Sequence, residues 1–225
     1  MNYEITGGNL PVVLIRLDAG EMVTCESGSM SWMDEGIEMQ TEGGGVGKMF
    51  GRMFTGESLM LNKYIARQAG EISFASSFPG SIRAIEVTPD KPIVAQKGAF
   101  LASVGNVEMT VHFQKKVGGA LFGGEGIIMQ KFSGNGLVFF EIDGSAIEYD
   151  LQPGEKKIVD TGYTAVMDAS VGYDVVVIKG VKNVLFGGEG LFNTTLTGPG
   201  HVVLQSMPIA GTAMKLYSYM PHPSS

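Results

Sequence analysis

Residues 42–49, EGGGVGKM, carry the glycines and the lysine of a phosphate-binding loop. That loop needs G-x-x-x-x-G-K-[ST], because backbone N–H groups cradle the phosphates and the final hydroxyl binds magnesium. Here Glu42 occupies the first glycine position and Met49 the hydroxyl position. A carboxylate repels the phosphate it would have to admit. Nucleotide binding is therefore not expected, and the glycines need another explanation.

The other reactive residue types are equally unpromising as catalysts. Imidazole is the usual ligand of catalytic transition metals, yet His112, His201 and His222 are far apart and none belongs to an H-x-H pair. They read as satisfied or surface histidines, and no metal is expected. Cys25 lies in an alternating stretch, TCES, with Glu21 and Glu26 nearby. Acidic neighbours raise a thiol pKa, whereas a nucleophilic thiol needs an electropositive setting; Cys25 reads as a packed or half-exposed small residue. Asp34, Glu35 and Glu38 cluster after Trp32, and Glu86, Asp143 and Asp150 fall at strand or turn positions. An acid–base pair needs a defined separation and shifted pKa values, so these read as solvated turn acids. There is no G-x-S-x-G elbow and no S-x-x-K. The expectation is a protein with no catalytic residue and no cofactor.

Two groups of residues suit contact better than catalysis. Lys48, Arg52, Lys115, Lys116 and Lys182 precede Glu57, Glu125 and Glu189 by similar distances and read as solvated charges, with balancing of those glutamates or an anion-attracting basic ring as the sharper alternatives. Met49, Phe50, Met53, Phe54, Leu121 and Phe122 stand on glycine-rich connections. Apolar groups on connections either fold back into the core or form a contact surface; core filling is the first reading and oligomerisation the next.

Composition narrows the class. A chain of 225 residues, 44% hydrophobic and 17% charged, buries about 70% of its unfolded surface. Mean hydropathy is +0.15, but no run reaches the ~18 apolar residues of a membrane helix. The opening MNYEITGG has neither the basic nor the apolar region of a signal peptide. Net charge is −7 with 16 Lys and Arg, an unfavourable balance for binding phosphate backbones. A single cysteine excludes an internal disulfide and fits a reducing compartment, so the cytoplasm is the expected location.

The elements that position these residues read as strands. Short alternating runs such as ISFAS, IRAIEV, LVFFEI and YDVVVIKG are separated by Gly, Pro, Asp and Asn, the pattern of an all-β sandwich or barrel. No glycine-free stretch carries a helical stripe, so very little helix is expected. Repeats organise the runs. FTGES at 54–58 recurs as FGGEG at 122–126 and again at 186–190, placing Phe54, Gly56 and Glu57, Phe122, Gly124 and Glu125, and Phe186, Gly188 and Glu189 in register. Upstream, strand–turn–strand segments starting at Ile15, Ile85 and Tyr149 each reach a glycine after 13 residues: Gly28, Gly98 and Gly162. Downstream, Gly70, Gly136 and Gly200 each precede a strand.

The chain therefore reads as one unit, 1–225, built from three repeats at about 10–80, 81–145 and 146–220. EGGGVGKM is the first repeat's connection into F-x-G-E. Glycines there permit positive φ or close backbone approach. The glutamates of the three F-x-G-E loops read as acceptors for backbone N–H groups, with contact to a partner as the alternative.

The F-x-G-E triplet, the strand–glycine–strand units and SGSMSWM at 27–33 together resemble the altered-inheritance-of-mitochondria family over roughly residues 3–220. That resemblance implies a triplicated tryptophan RNA-binding attenuator protein-like fold: a short double-stranded β-helix or sandwich unit, repeated with pseudo-three-fold symmetry. It implies no established chemistry. The functional expectation is a non-enzymatic binding or assembly module that self-associates through a symmetric surface, with no nucleic acid and no transmembrane segment. One alternative is a small-ligand-binding or enzymatic β-helix protein with one cavity. The second is RNA binding by analogy with the fold relative, which would require a basic, aromatic-lined strip.

Overall fold

Alternation in sequence becomes alternation in burial. In VVLIRL, the strand β2 (Val12–Leu17), Val13, Ile15 and Leu17 face the core while Arg16 faces water, as the two-residue period of a pleated strand dictates. The computed structural model describes residues 1–40, 61–115, 126–177 and 192–220. The described residues form seventeen strands and one helix, so the all-β expectation holds. The helix α1 (Ile209–Tyr217) buries no side chain and begins where Asp143 Oδ2 accepts the Ile209 N–H at 2.8 Å.

The strands lie in three hydrogen-bonded sheets. The first runs β1 (Asn2–Thr6), β2, β7 (Gly70–Ala75) and β4 (Trp32–Met33). The large central sheet contains β3 (Met22–Glu26), β5 (Ile37–Gln40), β6 (Leu61–Ala66), β8 (Gly80–Val87), β9 (Ile93–Gln96), β10 (Phe100–Lys115), β11 (Ile127–Asp143), β12 (Ala146–Leu151), β14 (Thr164–Asp168) and β17 (Gly200–Gln205). The third is β13 (Lys156–Asp160), β16 (Phe192–Thr197) and β15 (Gly172–Val177). The strand pairings are antiparallel, and three of them place a glycine opposite a buried aliphatic: Leu17 opposite Gly70, Val87 opposite Gly136, and Leu151 opposite Gly200.

Two strands are longer than the short runs the sequence suggests. β10 has 16 residues and β11 has 17, so Gly136 lies inside a strand rather than ahead of one. The two strands continue past each other because Gly105 faces Gly136 directly, with Gly105 at φ 93°. A methyl group at Gly136 would collide with the Val104 carbonyl oxygen and Val107. By contrast Gly28, Gly98 and Gly162 are turn glycines with φ of 91°, 92° and 106°, a region that side-chain-bearing residues disfavour.

The core divides into successive clusters. Val13, Ile15, Val23, Ile72, Phe74 and Phe139 form the first. Phe100, Phe132, Phe140, Val138 and Val166 form the second, where Phe132 stands edge-on to Phe140 at 5.0 Å. Val94, Met129, Met167, Leu196 and Val202 form the third. Phe132 is fully buried, so Phe132→Ala lowers folding stability by about 3–5 kcal/mol, measured by urea denaturation. Gly136→Ala lowers it by roughly 1–3 kcal/mol through overpacking. A Gly136→Ala protein as stable as the parent would refute the close approach described at that crossing.

Candidate functional site

A cleft of about 390 Å³ lies where β8, β12, β14 and β17 meet. Its rim is set by register. β12 and β17 pair so that Asp150 stands opposite His201, while Glu148, two residues earlier on the same face, reaches the same ring. His201 Nδ1 lies 2.7 Å from Asp150 Oδ1, and Nε2 lies 3.3 Å from Glu148 Oε2. Arg83 on β8 donates from Nε to Glu148 Oε1 at 2.9 Å. Asp168 on β14 accepts the His201 backbone N–H at 2.9 Å. The floor is apolar, formed by Ile85, Ile93, Met167 and Val203 among others.

The hydrogen bond from Arg83 holds the Glu148 carboxyl below its ordinary value of 4.5; partial burial opposes this, and the charges of Arg83 and His201 add to it. Chemically the arrangement is a run of polar contacts, Asp150 to His201 to Glu148 to Arg83. Both His201 ring nitrogens face carboxylates, Nδ1 that of Asp150 and Nε2 that of Glu148. The described residues contain no group of three or more His, Cys, Asp or Glu able to hold a metal ion.

The remaining candidates from the sequence are placed as follows. Cys25 is fully buried, and its thiol is pushed up to about 12, mainly by burial and then by Glu26. Burial thus outweighs the acidic neighbours that the sequence emphasises. Asp34 Oδ2 accepts the Glu71 N–H at 2.8 Å, and Glu38 accepts from Arg67 Nε at 2.8 Å. Both acids are structural partners rather than an acid–base pair. Burial raises the Asp143 carboxyl above its ordinary range, while the bond from Ile209 opposes the shift. Glu86 lines the cleft, and Lys115 Nζ donates to the Val175 carbonyl at 2.8 Å. His112 is exposed on β10. The nine F-x-G-E residues, Phe54, Gly56, Glu57, Phe122, Gly124, Glu125, Phe186, Gly188 and Glu189, lie outside the described residues, as do Lys48, Arg52, Lys116, Lys182, His222 and the apolar residues of the glycine-rich connections. Sequence reasoning does not single out Arg83 or Glu148. The spacing of Glu148 and Asp150 is a usable signal, but their convergence on His201 depends on the pairing of 146–151 with 200–205.

A second surface is built from strand edges. β3 pairs with β10, placing Cys25 opposite Ala102, Thr24 opposite Ser103 and Val23 opposite Val104. β9 pairs with β14, placing Ala95 opposite Val166, Val94 opposite Met167 and Ile93 opposite Asp168. Most of these residues are buried. Among the described residues the strands at the sheet ends expose apolar side chains: Tyr3 and Ile5 on β1, Ile147 and Tyr149 on β12, Trp32 (51%) and Met33 (36%) on β4, and Ile158 (68%) on β13. No described helix is long and apolar enough to cross a membrane.

The Glu148 environment has a pH signature. A carboxyl whose folded value lies below its unfolded value contributes stability above the unfolded value and loses it as pH falls through the folded value. Glu148 therefore titrates below 4.5 in carboxyl-detected NMR, and Arg83→Ala moves it upward and weakens the fall in stability on acidification. Titration of Glu148 at or above 4.5 in the parent protein would contradict the ion pair.

Three comparisons match this architecture. The family model described as "Mitochondrial biogenesis AIM24" matches residues 3–207. An uncharacterized protein from Streptococcus pyogenes serotype M6 is 30% identical over 224 residues, covering 96% of this chain and 89% of that protein. The crystal structure of another Streptococcus pyogenes protein superposes with a TM-score of 0.81 at 26% identity, covering 97% of this chain and 99% of that one. A match across nearly the whole chain, carried by both sequence and fold, shows that the chain belongs to the AIM24 family.

Proposed function

We propose that the protein is a non-enzymatic assembly module in which one β unit, written three times over residues 10–80, 81–145 and 146–220, is joined edge to edge and self-associates through the surface so formed. The observation that carries this reading is the recurrence of strand pairings. The strand entering each turn pairs with the strand at the downstream glycine: β2 with β7, β8 with the end of β11, and β12 with β17. The strand leaving the turn pairs with the preceding stretch: β3 with β6, β9 with the start of β11, and β13 with β16. The strand after the turn glycine pairs in one register each time: Trp32 opposite Ser73, Ala102 opposite Phe139, and Val166 opposite Val203.

In this reading the F-x-G-E segments occupy one topological place, between β5 and β6, between β10 and β11, and between β15 and β16. Their glutamates are proposed as acceptors at the corners of the three units or as contacts to a partner. The same reading places the protein in the cytoplasm, on the strength of its lone cysteine. It assigns no nucleic acid, because the chain carries −7 net charge. The polar contacts around His201 support a positioning role for the cleft, since they link β8, β12 and β17.

Native mass spectrometry of the full chain, with sedimentation equilibrium alongside, tests the proposal. The expected result is a species containing several 23.9 kDa chains. A chain that stays monomeric at every accessible concentration overturns the assembly reading. A small molecule retained in stoichiometric amount and displaced by Arg83→Ala would favour a ligand-binding cleft instead.

A further inference from the structure

We infer that copies of this chain join head to tail, the β4 edge of one copy pairing with the β13 edge of the next, with Trp32 opposite Val159, Met33 opposite Ile158 and Asp34 opposite Lys157. The inference rests on the assembly reading above and names its surface.

The register is fixed by the two joins inside the chain. Count from the turn glycines Gly28, Gly98 and Gly162, all at positive φ. In the first join Cys25, three residues before Gly28, faces Ala102, four residues after Gly98. In the second, Ala95, three before Gly98, faces Val166, four after Gly162. Thr24 opposite Ser103 and Val94 opposite Met167 extend both ladders by one position. The position three before Gly162 is Val159, and the position four after Gly28 is Trp32. These belong to β13 and β4, which lie at the edges of separate sheets. The chain thus ends, at both extremes of its run of joins, on the two halves of a third one.

Burial and charge support the match. The counterparts of Trp32 within the chain are Ala102 at 0% and Val166 at 1% exposed, and those of Met33 are Ser103 at 6% and Met167 at 1%. Trp32 and Met33 themselves remain 51% and 36% exposed, and Ile158 68%, against 0% for its counterpart Val94 and a half-buried Thr24. The next rung places Lys157 against Asp34, opposite in charge. Asp34 also matches its counterpart Asp168 in detail: each accepts the N–H of the residue after the downstream glycine, Glu71 and His201 respectively. Asp168 keeps that bond while standing opposite Ile93 in a join, so Asp34 can face a partner strand without losing its own. An open edge bearing apolar groups is the usual template for strand addition. A join between unlike edges is heterologous, so it builds a closed ring or a filament rather than a two-fold dimer.

The test uses the full chain. Lys157→Asp puts like charges across the join and raises the concentration at half-association by at least about tenfold; Lys157 is half-buried with Nζ 3.8 Å from the Tyr149 ring centroid, so Tyr149→Ala controls for loss of that contact, and circular dichroism checks that the fold is intact. In parallel, Met33→Cys and Ile158→Cys are combined and oxidised with oxidised glutathione, the native Cys25 being buried with its thiol pushed up to about 12. The double variant is expected to form disulfide-linked ladders on a non-reducing gel. An equimolar mixture of the two single variants is expected to form heterodimers, linked between position 33 of one copy and position 158 of the other. Trp32 is the only tryptophan, so its emission should shift to shorter wavelength as copies associate. Association of the parent protein without any of these effects overturns the join and leaves the assembly reading standing. A cross-link that forms within one chain also overturns the join, by showing that the two edges meet inside it. A parent protein that never associates overturns the assembly reading itself.

Discussion

A strand shielded from water can satisfy its outward backbone N–H and C=O groups only on a neighbour, and that requirement governs the joins of this molecule. β3 meets β10 and β9 meets β14 through short ladders of three residue pairs each. The same contacts close the core. Cys25 and Val23 share one buried cluster with Leu101 and Ala102, and Val94 shares another with Met167. Edge pairing and apolar burial are therefore one event here, because the side chains flanking each ladder are those that leave water. At roughly 25 cal/mol per Å² of apolar surface removed from water, the burial contributes more than the few net hydrogen bonds, which add about 1 kcal/mol each. The hydrogen bonds fix the register and the side chains supply most of the stabilisation.

The His201 cleft follows from the same geometry. It lies where β14, carried by its ladder to β9, brings Asp168 beneath His201, while β8 brings Arg83 against Glu148. Its charged groups are substantially exposed, and exposed ion pairs contribute only about 0–1 kcal/mol each. Their effect is positional: Glu148 bridges Arg83 and His201, so β8, β12 and β17 are tied by one carboxylate. Glu141 has a similar effect elsewhere, accepting from Ser76 Oγ and from both the N–H and the hydroxyl of Ser77.

Much of the fold is legible in the sequence because its signals are local. VVLIRL and GHVVLQ announce half-buried strands, and Gly28, Gly98 and Gly162 mark turns that need positive φ. The landmarks Gly70, Gly136 and Gly200 are nearly equally spaced in the sequence, but that each faces a buried aliphatic residue is visible only in the pairing. What is not legible is non-local. Continuity of β11 through Gly136 depends on Gly105 lying opposite it. The approach of Arg83 and Glu148 to His201 depends on three strands distant in sequence. The exposure of Trp32 and Ile158 depends on which strand lies at a sheet edge, which no alternation pattern encodes. Cys25 is fully packed, where its alternating stretch leaves packed and half-exposed both open, and burial matters more to its thiol than the acid beside it.

The central claim is that one β unit recurs three times and that each copy is related to the next by the same edge-to-edge join. Residual dipolar couplings of backbone amides, collected on the full chain and fitted separately for 10–80, 81–145 and 146–220, measure the relative orientation of the three segments directly. The account predicts that the rotation carrying the first segment onto the second also carries the second onto the third. Two unrelated rotations would contradict it.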